Sequence, residues 1–299
     1  MTIRQFQYFD PKSVEEACSL LYQHRGDARV LAGGQSLLPM MKLNLVEPKY
    51  LIDLKKIPNL AVIRAVRDDE TGRNIISIGA LATHAEIANS ELIRREVSLL
   101  SETAAGIGHP QVRNRGTIGG SLSHCDPAAD LVATMLALDA NIVVASHDGK
   151  RRKVRAASFF KGTFTTDLRE GEILTQIEIE PHSNAVQSFK KMILGHGDFP
   201  LVVVSTSLRF DKGVCRDVAI ALAGVGEVAF RVKDAENILI GKSEITGDDI
   251  SRAAKISAEA SKPESDLEVS AKYKKKMVEV FVTRALTDAL SKRSKLNAR

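Results

Sequence analysis

The sequence predicts an α+β protein built as successive lobes, and three observations carry that prediction. Short apolar runs rich in β-branched residues alternate with helical runs in the first half, and after residue 200 strands come first and helices last. Helix-start signatures of the Ser/Thr-x-x-Glu kind occur at Ser13 and Thr83. Two junctions leading into helical stretches are glycine-rich, at Gly33-Gly34 and at Gly116 to Gly120.

In chain order, Ser13-Val14-Glu15-Glu16 opens a helix with Val14, Ala17, Leu20 and Leu21 at helical spacing, and Gly26 stops it. Ala28 to Ala32 is a short strand, Leu37 to Leu43 a helical run, and Tyr50 to Leu54 a second strand, which together make a compact first lobe. A second lobe begins at about residue 57 with strands Ala61 to Val66 and Ile75 to Ile78, joined by the polar turn Asp68 to Arg73. Helices are expected at Thr83 to Ala88, with a capping box through Glu86, and at Leu92 to Ala105 as one run. A glycine-rich stretch beyond Gly106 ends at Asp126-Pro127. It is followed by a helix from Ala128 to Leu138, with Pro127 in its first turn, and by strands Asn141 to Ala145 and Ile173 to Ile179.

Pro181 to Asn184 reads as a linker, dividing the chain into 1–180, with lobes of about 1–56 and 57–180, and 181–299. The second part carries strands Leu201 to Phe210 and Val214 to Ala223, then helices Val232 to Ile240, Asp248 to Ala260 and Tyr273 to Leu290.

With 299 residues, 44% apolar and 26% charged, the chain can bury a substantial core, which excludes disorder. No stretch approaches the roughly 18 apolar residues of a membrane span, and residues 2–7 form no secretory h-region, so a cytoplasmic protein is expected. Cys18, Cys125 and Cys215 lie far apart, and His109 and His124 add no ligand set, so no metal site is expected on this chain. The net charge of +5 comes largely from short runs at 150–153, 272–276 and 292–299, which read as solvated basic faces and a frayed tail. Absent Trp and 5% aromatics supply a poor stacking platform for nucleic acid, and the basic balance suits an acidic partner surface instead.

The two glycine loops carry the chemistry. Gly33-Gly34-Gln35-Ser36 follows a strand and leads into a helix. Glycine lacks the Cβ that would hold a ligand away, amides near a helix start can donate to phosphate oxygens, and Ser36 adds a hydroxyl. A Gly-Gly pair also serves ordinary tight turns, so the second loop matters. Arg115-Gly116-Thr117-Ile118-Gly119-Gly120-Ser121 repeats the device and runs on to Asp126 and Asp130, which can accept hydrogen bonds from sugar or ring donors. Two phosphate-compatible loops in one lobe pair point to a dinucleotide. The Rossmann fingerprint and the Walker pattern are both missing.

Ala32-Gly33-Gly34-Gln35-Ser36-Leu37-Leu38-Pro39, and Thr117 to Ser121 with Asp126-Pro127-Ala128-Ala129-Asp130, resemble the two flavin signatures of the FAD-binding medium subunits of molybdenum hydroxylases. That family includes the carbon monoxide dehydrogenase medium subunit and the xanthine dehydrogenase FAD domain. The resemblance runs the length of the chain, through Phe6 to Pro11, Ile78 to His84 and Ser270 to Tyr273. It implies an FAD-binding fold of the p-cresol methylhydroxylase (PCMH) type in two α+β lobes, then an α+β domain of a three-stranded sheet and helices.

By the same resemblance, Ala32 to Leu37 hold the pyrophosphate and Gly116 to Ser121 support the phosphates and ribityl. Asp130 lies near the flavin or ribityl, and Lys191, with Lys190 the alternative, stands beside the isoalloxazine. Where many relatives carry two arginines, this chain has Leu194-Gly195-His196-Gly197-Asp198. The implied role is electron transfer from [2Fe-2S] clusters on a small subunit, through FAD on this chain, to an external acceptor. Substrate oxidation is then expected on a molybdenum-containing large subunit, within a dimer of heterotrimers. A free-standing FAD oxidoreductase and a non-redox basic binding module are the alternatives.

Overall fold

The computed structural model describes residues 3–297 apart from Glu70 and His196. Glu70 of the 68–73 turn, His196 of the 194–198 segment, and Ala298 and Arg299 of the basic tail therefore lie outside the described residues.

The first lobe contains β1 (Gln7–Phe9), α1 (Val14–Gln23), β2 (Ala28–Leu31), α2 (Leu37–Lys42) and β3 (Tyr50–Asp53). Its strands form a parallel sheet in the order β1-β3-β2. Ser13 caps α1 by accepting from the Glu16 amide, but the Glu16 carboxylate accepts from the Lys12 amide at 2.8 Å, so the expected capping box closes one residue earlier. β1 escaped the sequence reading because its three residues show no burial alternation. Ala17, Cys18 and Ile52 pack against Ala145 and Ile173 of the second lobe, and Tyr22 stacks on His147 with ring centroids 3.7 Å apart.

The second lobe runs through β4 (Ile63–Arg67), β5 (Asn74–Gly79), α3 (His84–Asn89), α4 (Glu91–Glu96), α5 (Ser98–Gly106), α6 (Pro110–Arg113), α7 (Ile118–His124) and α8 (Asp130–Ala137). It continues with β6 (Asn141–Ala145), β7 (Arg151–Arg155), α9 (Ala156–Phe159), the short pair β8 (Phe160–Gly162) and β9 (Thr165–Thr166), and β10 (Ile173–Ile179). The sheet order is β4-β5-β10-β6-β7, with every pairing antiparallel.

Three expectations fail here for local reasons. The single helix expected from Leu92 to Ala105 breaks at Val97, whose backbone sits at φ −144°, ψ 58° with the side chain fully buried. Both halves keep helical apolar spacing, so the change of direction leaves no mark on the pattern. The helix expected from Ala128 starts at Asp130, because Asp126 Oδ1 accepts from the Ala128 amide at 2.9 Å and makes a side-chain turn that leaves Pro127 outside the helix. The basic run 150–153 is not simply a solvated face. It includes most of β7, from which Arg152 reaches Asp167 and Glu172, both at 2.6 Å, and Lys153 reaches Asp68 and Glu178.

The last part comprises β11 (Ala185–Met192), β12 (Val202–Asp211), β13 (Val214–Ala223), β14 (Phe230–Arg231), α10 (Lys233–Leu239), α11 (Gly247–Ala260) and α12 (Ala271–Asn297). Three long antiparallel strands form the sheet, and the two-residue β14 adds to its edge. Period-two alternation gives the sheet two different faces. Val218, Ile220 and Leu222 join Val202, Val204 and Leu208 beneath α10, α11 and α12, whereas Ala219, Ala221 and Ala223 face the second lobe. Those three methyl groups let the almost wholly buried α8 approach β13 closely. Nor does the basic tail fray at Lys292, whose ammonium donates to the Gln187 carbonyl at 2.8 Å. The 181–184 segment is anchored, its buried His182 amide donating to the Glu96 carbonyl at 2.7 Å.

Candidate functional site

The two glycine loops meet. A Cβ built on Gly33 would lie 2.1 Å from the Arg115 carbonyl oxygen and 2.8 Å from Gly116 Cα, so only glycine allows the first loop to rest on the second. Gly34 has φ +74°, the left-handed region that turns the chain out of β2 toward α2.

Beyond that contact the loops differ. In the second loop Thr117 caps α7 by accepting from the Gly120 amide, and the Ile118 and Gly119 amides donate to the carbonyls of Ala82 (3.0 Å) and Ala80 (2.8 Å). The first-turn donors of α7 are thus consumed inside the protein. Gly119 is glycine because a Cβ would stand 2.5 Å from Ala80 Cβ, and Gly116 because a Cβ would press on the His84 ring at 2.8 Å. In the first loop the amides of Gly33, Gly34, Gln35 and Ser36 meet no protein acceptor among the described residues, and the Ser36 side chain makes no cap hydrogen bond. Those donors are available to an anion.

Ala32 lies close to Gly120, 3.5 Å from where its Cβ would be, Gln35 is exposed, Leu37 opens α2 half-buried, and Ser121 follows in α7 with its amide on the Thr117 carbonyl. Asp126 spends one carboxylate oxygen on its turn.

Asp130, the first residue of α8, is buried. One oxygen lies 2.9 Å from Lys191 Nζ, and the other, Oδ1, has no hydrogen-bond partner. Burial outweighs the neighbouring ammonium and pushes its carboxyl up to about 6. Strand alternation separates the two candidate lysines. Lys191 points from β11 toward α8, and Lys190 points to the opposite face, where Asp288 of α12 holds it at 2.9 Å. The structure therefore brings Lys191, not Lys190, to Asp130.

The sequence reading assigned no role to His84, Ala80 or Ala82. His84 is the first residue of α3, buried between that helix and the second loop, with Nδ1 unpartnered. Burial and Arg113 push its pKa down to about 4, so the ring is neutral. The capping box at Thr83 was the available signal, because it fixes the next residue at the helix start.

Uncommitted amides on one loop, braced by another whose Ile118, Gly119 and Gly120 amides are spent, and a buried carboxylate–ammonium pair suit the holding of an extended anionic cofactor. Among the described residues no group of three His, Cys, Asp or Glu side chains could hold a metal ion, and no helix is long and apolar enough to cross a membrane. The fold and site thus define a cofactor-binding protein of the dinucleotide kind.

Comparison with known proteins identifies the cofactor. Residues 4–182 match the FAD binding domain in molybdopterin dehydrogenase, and residues 187–289 match the CO dehydrogenase flavoprotein C-terminal domain. The chain is 37% identical to a 6-hydroxypseudooxynicotine dehydrogenase complex subunit alpha from Paenarthrobacter nicotinovorans, over 95% of this chain and 94% of that one. It is also 37% identical to the carbon monoxide dehydrogenase medium chain of Hydrogenophaga pseudoflava, over 95% and 97% of the two chains. The structure superposes on carbon monoxide dehydrogenase from that organism with a TM-score of 0.92, covering 97% of this chain and 99% of the other. It superposes on quinoline 2-oxidoreductase from Pseudomonas putida 86 with a TM-score of 0.88 at 34% identity, again over 97% and 99%. The chain belongs to the FAD-binding medium-subunit family of the molybdenum hydroxylases, and it is an oxidoreductase subunit.

Proposed function

We propose that FAD lies with its pyrophosphate on the amides of Gly33 to Ser36 and its ring end toward Lys191, and that this chain passes electrons from a partner's [2Fe-2S] clusters to an external acceptor. The observation that carries the reading is the row of donors on the first loop. Backbone amides left without acceptors in a half-buried position call for an anionic ligand.

FAD, when bound, supplies the capacity to take up and release electrons, and the protein supplies binding, orientation and electrostatics. Gly33 and Gly34 let the backbone approach the diphosphate. Thr117, Gly119 and Gly120 fix α7 beneath the first loop. Asp130 Oδ1 is an acceptor for a hydroxyl or ring N–H, and Lys191 places a cation where negative charge would accumulate.

In this reading substrate is oxidised on a molybdenum-containing large subunit, and a small subunit bears the [2Fe-2S] clusters, in a dimer of heterotrimers. Medium-chain and subunit names among the relatives support a multi-subunit assembly. A cytoplasmic location agrees with three buried, unpaired cysteines. We propose the domain division at residue 181, one residue before the first family match ends at 182 and ahead of the second, which begins at 187.

The test is the visible spectrum of the purified chain after FAD loading and desalting, with chromatography of the released cofactor. Near-stoichiometric FAD, and co-purification of molybdenum and iron–sulfur subunits with the tagged chain, are the expected results. A folded chain that binds no flavin, alone or in its complex, would overturn the reading.

A further inference from the structure

The Asp130–Lys191 pair carries an oxygen able to take up a proton as well as to accept a hydrogen bond. A buried carboxylate ordinarily fills its acceptor positions, yet Asp130 Oδ1 is shut from solvent with no donor, while Oδ2 is fixed on Lys191 at 2.9 Å. The Lys191 side chain is only 13% exposed, so the pair meets solvent over a small part of its surface.

Among the described residues, the elements packed on α8 bring no competing charge. On α5, Glu102 is engaged by Lys190 and Lys292. On α7, burial lowers the pKa of His124. On β14, Arg231 is bound to Glu236. β12 and β13 offer Ser205 and the alanine face, and α9 has no ionisable side chain. Lys191, from β11, is the one charged group acting on Asp130 among the described residues.

We propose that Asp130 is the proton acceptor coupled to reduction of the bound cofactor, taking a proton on Oδ1 as electrons arrive beside Lys191. The inference rests on the FAD reading above. With the cofactor oxidised, Lys191 and Asp130 neutralise each other. Negative charge arriving near Lys191 raises the proton affinity of Asp130, and its protonation releases the full lysine charge to face the reduced ring. The balance is two electrons from the donor, one proton from solvent to the ring, and one proton from solvent to Asp130. Burial already raises the proton affinity of Asp130, and the field of the arriving negative charge acts in the same direction.

The experiment is reduction of the FAD-loaded full chain at pH 7.5 with stoichiometric methyl viologen radical cation, a one-electron donor whose oxidation neither releases nor consumes protons. Proton uptake is read with an indicator dye, and the reduced-minus-oxidised infrared difference spectrum is recorded. About two protons per FAD are expected, with a protonated carboxylic-acid carbonyl band, and Asp130→Asn should take up about one and lack the band. Should Asp130→Asn fail to hold FAD, the wild-type measurement still decides. One proton per FAD and no carboxylic-acid band overturn this inference and leave the FAD reading standing, whereas a wild-type chain that holds no flavin overturns both. Two protons with no band, or with a band that persists in Asp130→Asn, assign the second proton elsewhere and also overturn it.

Discussion

Gly119→Ala separates bracing from ligand contact. Read from the sequence, a side chain at Gly119 should expel FAD by filling its space. The structure places the collision inside the protein, because the new methyl would stand 2.5 Å from Ala80 Cβ and 2.7 Å from Ala80 oxygen. Ordinary carbon contacts need ~3.5–4.0 Å, so Ala80, just past the end of β5, and α7 must part by about 1 Å. Overpacking of this kind costs ~1–3 kcal/mol, and stretching the hydrogen bond from the Gly119 amide to the Ala80 carbonyl costs ~1 kcal/mol more. A total of ~2–4 kcal/mol corresponds to a melting temperature lower by roughly 5–10 °C. Thermal and urea unfolding of the FAD-stripped chain give this directly, and FAD titration is run alongside. An unchanged apo melting temperature with lost FAD affinity would show that the second loop contacts ligand rather than bracing the first.

Three further outcomes follow from the same geometry. Lys191→Met should weaken FAD binding about tenfold, the size expected for one charge-assisted contact of ~1.4 kcal/mol, whereas Lys190→Met should leave it unchanged; equal effects in a fluorescence titration would reverse the lysine assignment. His84 is neutral in the fold, with its pKa at about 4 against 6.5 when unfolded, so the unfolded chain binds the extra proton between those values. Stability from this group is fully present above about pH 6.5 and lost as pH falls through about 4, by up to ~3 kcal/mol, and His84→Gln should flatten that part of a urea-midpoint series. Thr134→Val cuts the buried chain from Thr103 (2.8 Å) through Thr134 to Ser205 (2.9 Å), and chemical denaturation should register a loss of ~1–3 kcal/mol.

Much of the architecture was legible because its signals are local. Thr83 and Glu86 form the full capping box, and β6, β10, β12 and β13 stand where apolar, β-branched runs placed them. β11 was hidden because Gln187 and Ser188 are buried polar residues satisfied by distant partners, the Leu99 amide and Asp288, so the strand does not look apolar. The glycine loops could be found by composition, but which loop retains its donors depends on the carbonyls of Ala80 and Ala82, some 35 residues upstream of the second loop, and no short-range pattern encodes that pairing. Lys191 could be favoured over Lys190 only by resemblance until β11 fixed which lysine shares a face with Phe189.

The placement of α8 bears on how such chains could be recombined. The two family matches divide the chain between residues 182 and 187, but one continuous core crosses that line, joining Leu131 and Met135 to Phe189, Val203 and Ala221. Grafting the C-terminal half of one relative onto the N-terminal half of another would bring together an α8 and a sheet face that had not been fitted to each other. A larger residue in place of Ala219, Ala221 or Ala223 would lift the helix that carries Asp130. Functional chimeras are therefore to be sought by moving α8 together with β11, β12 and β13, not by cutting at the apparent boundary.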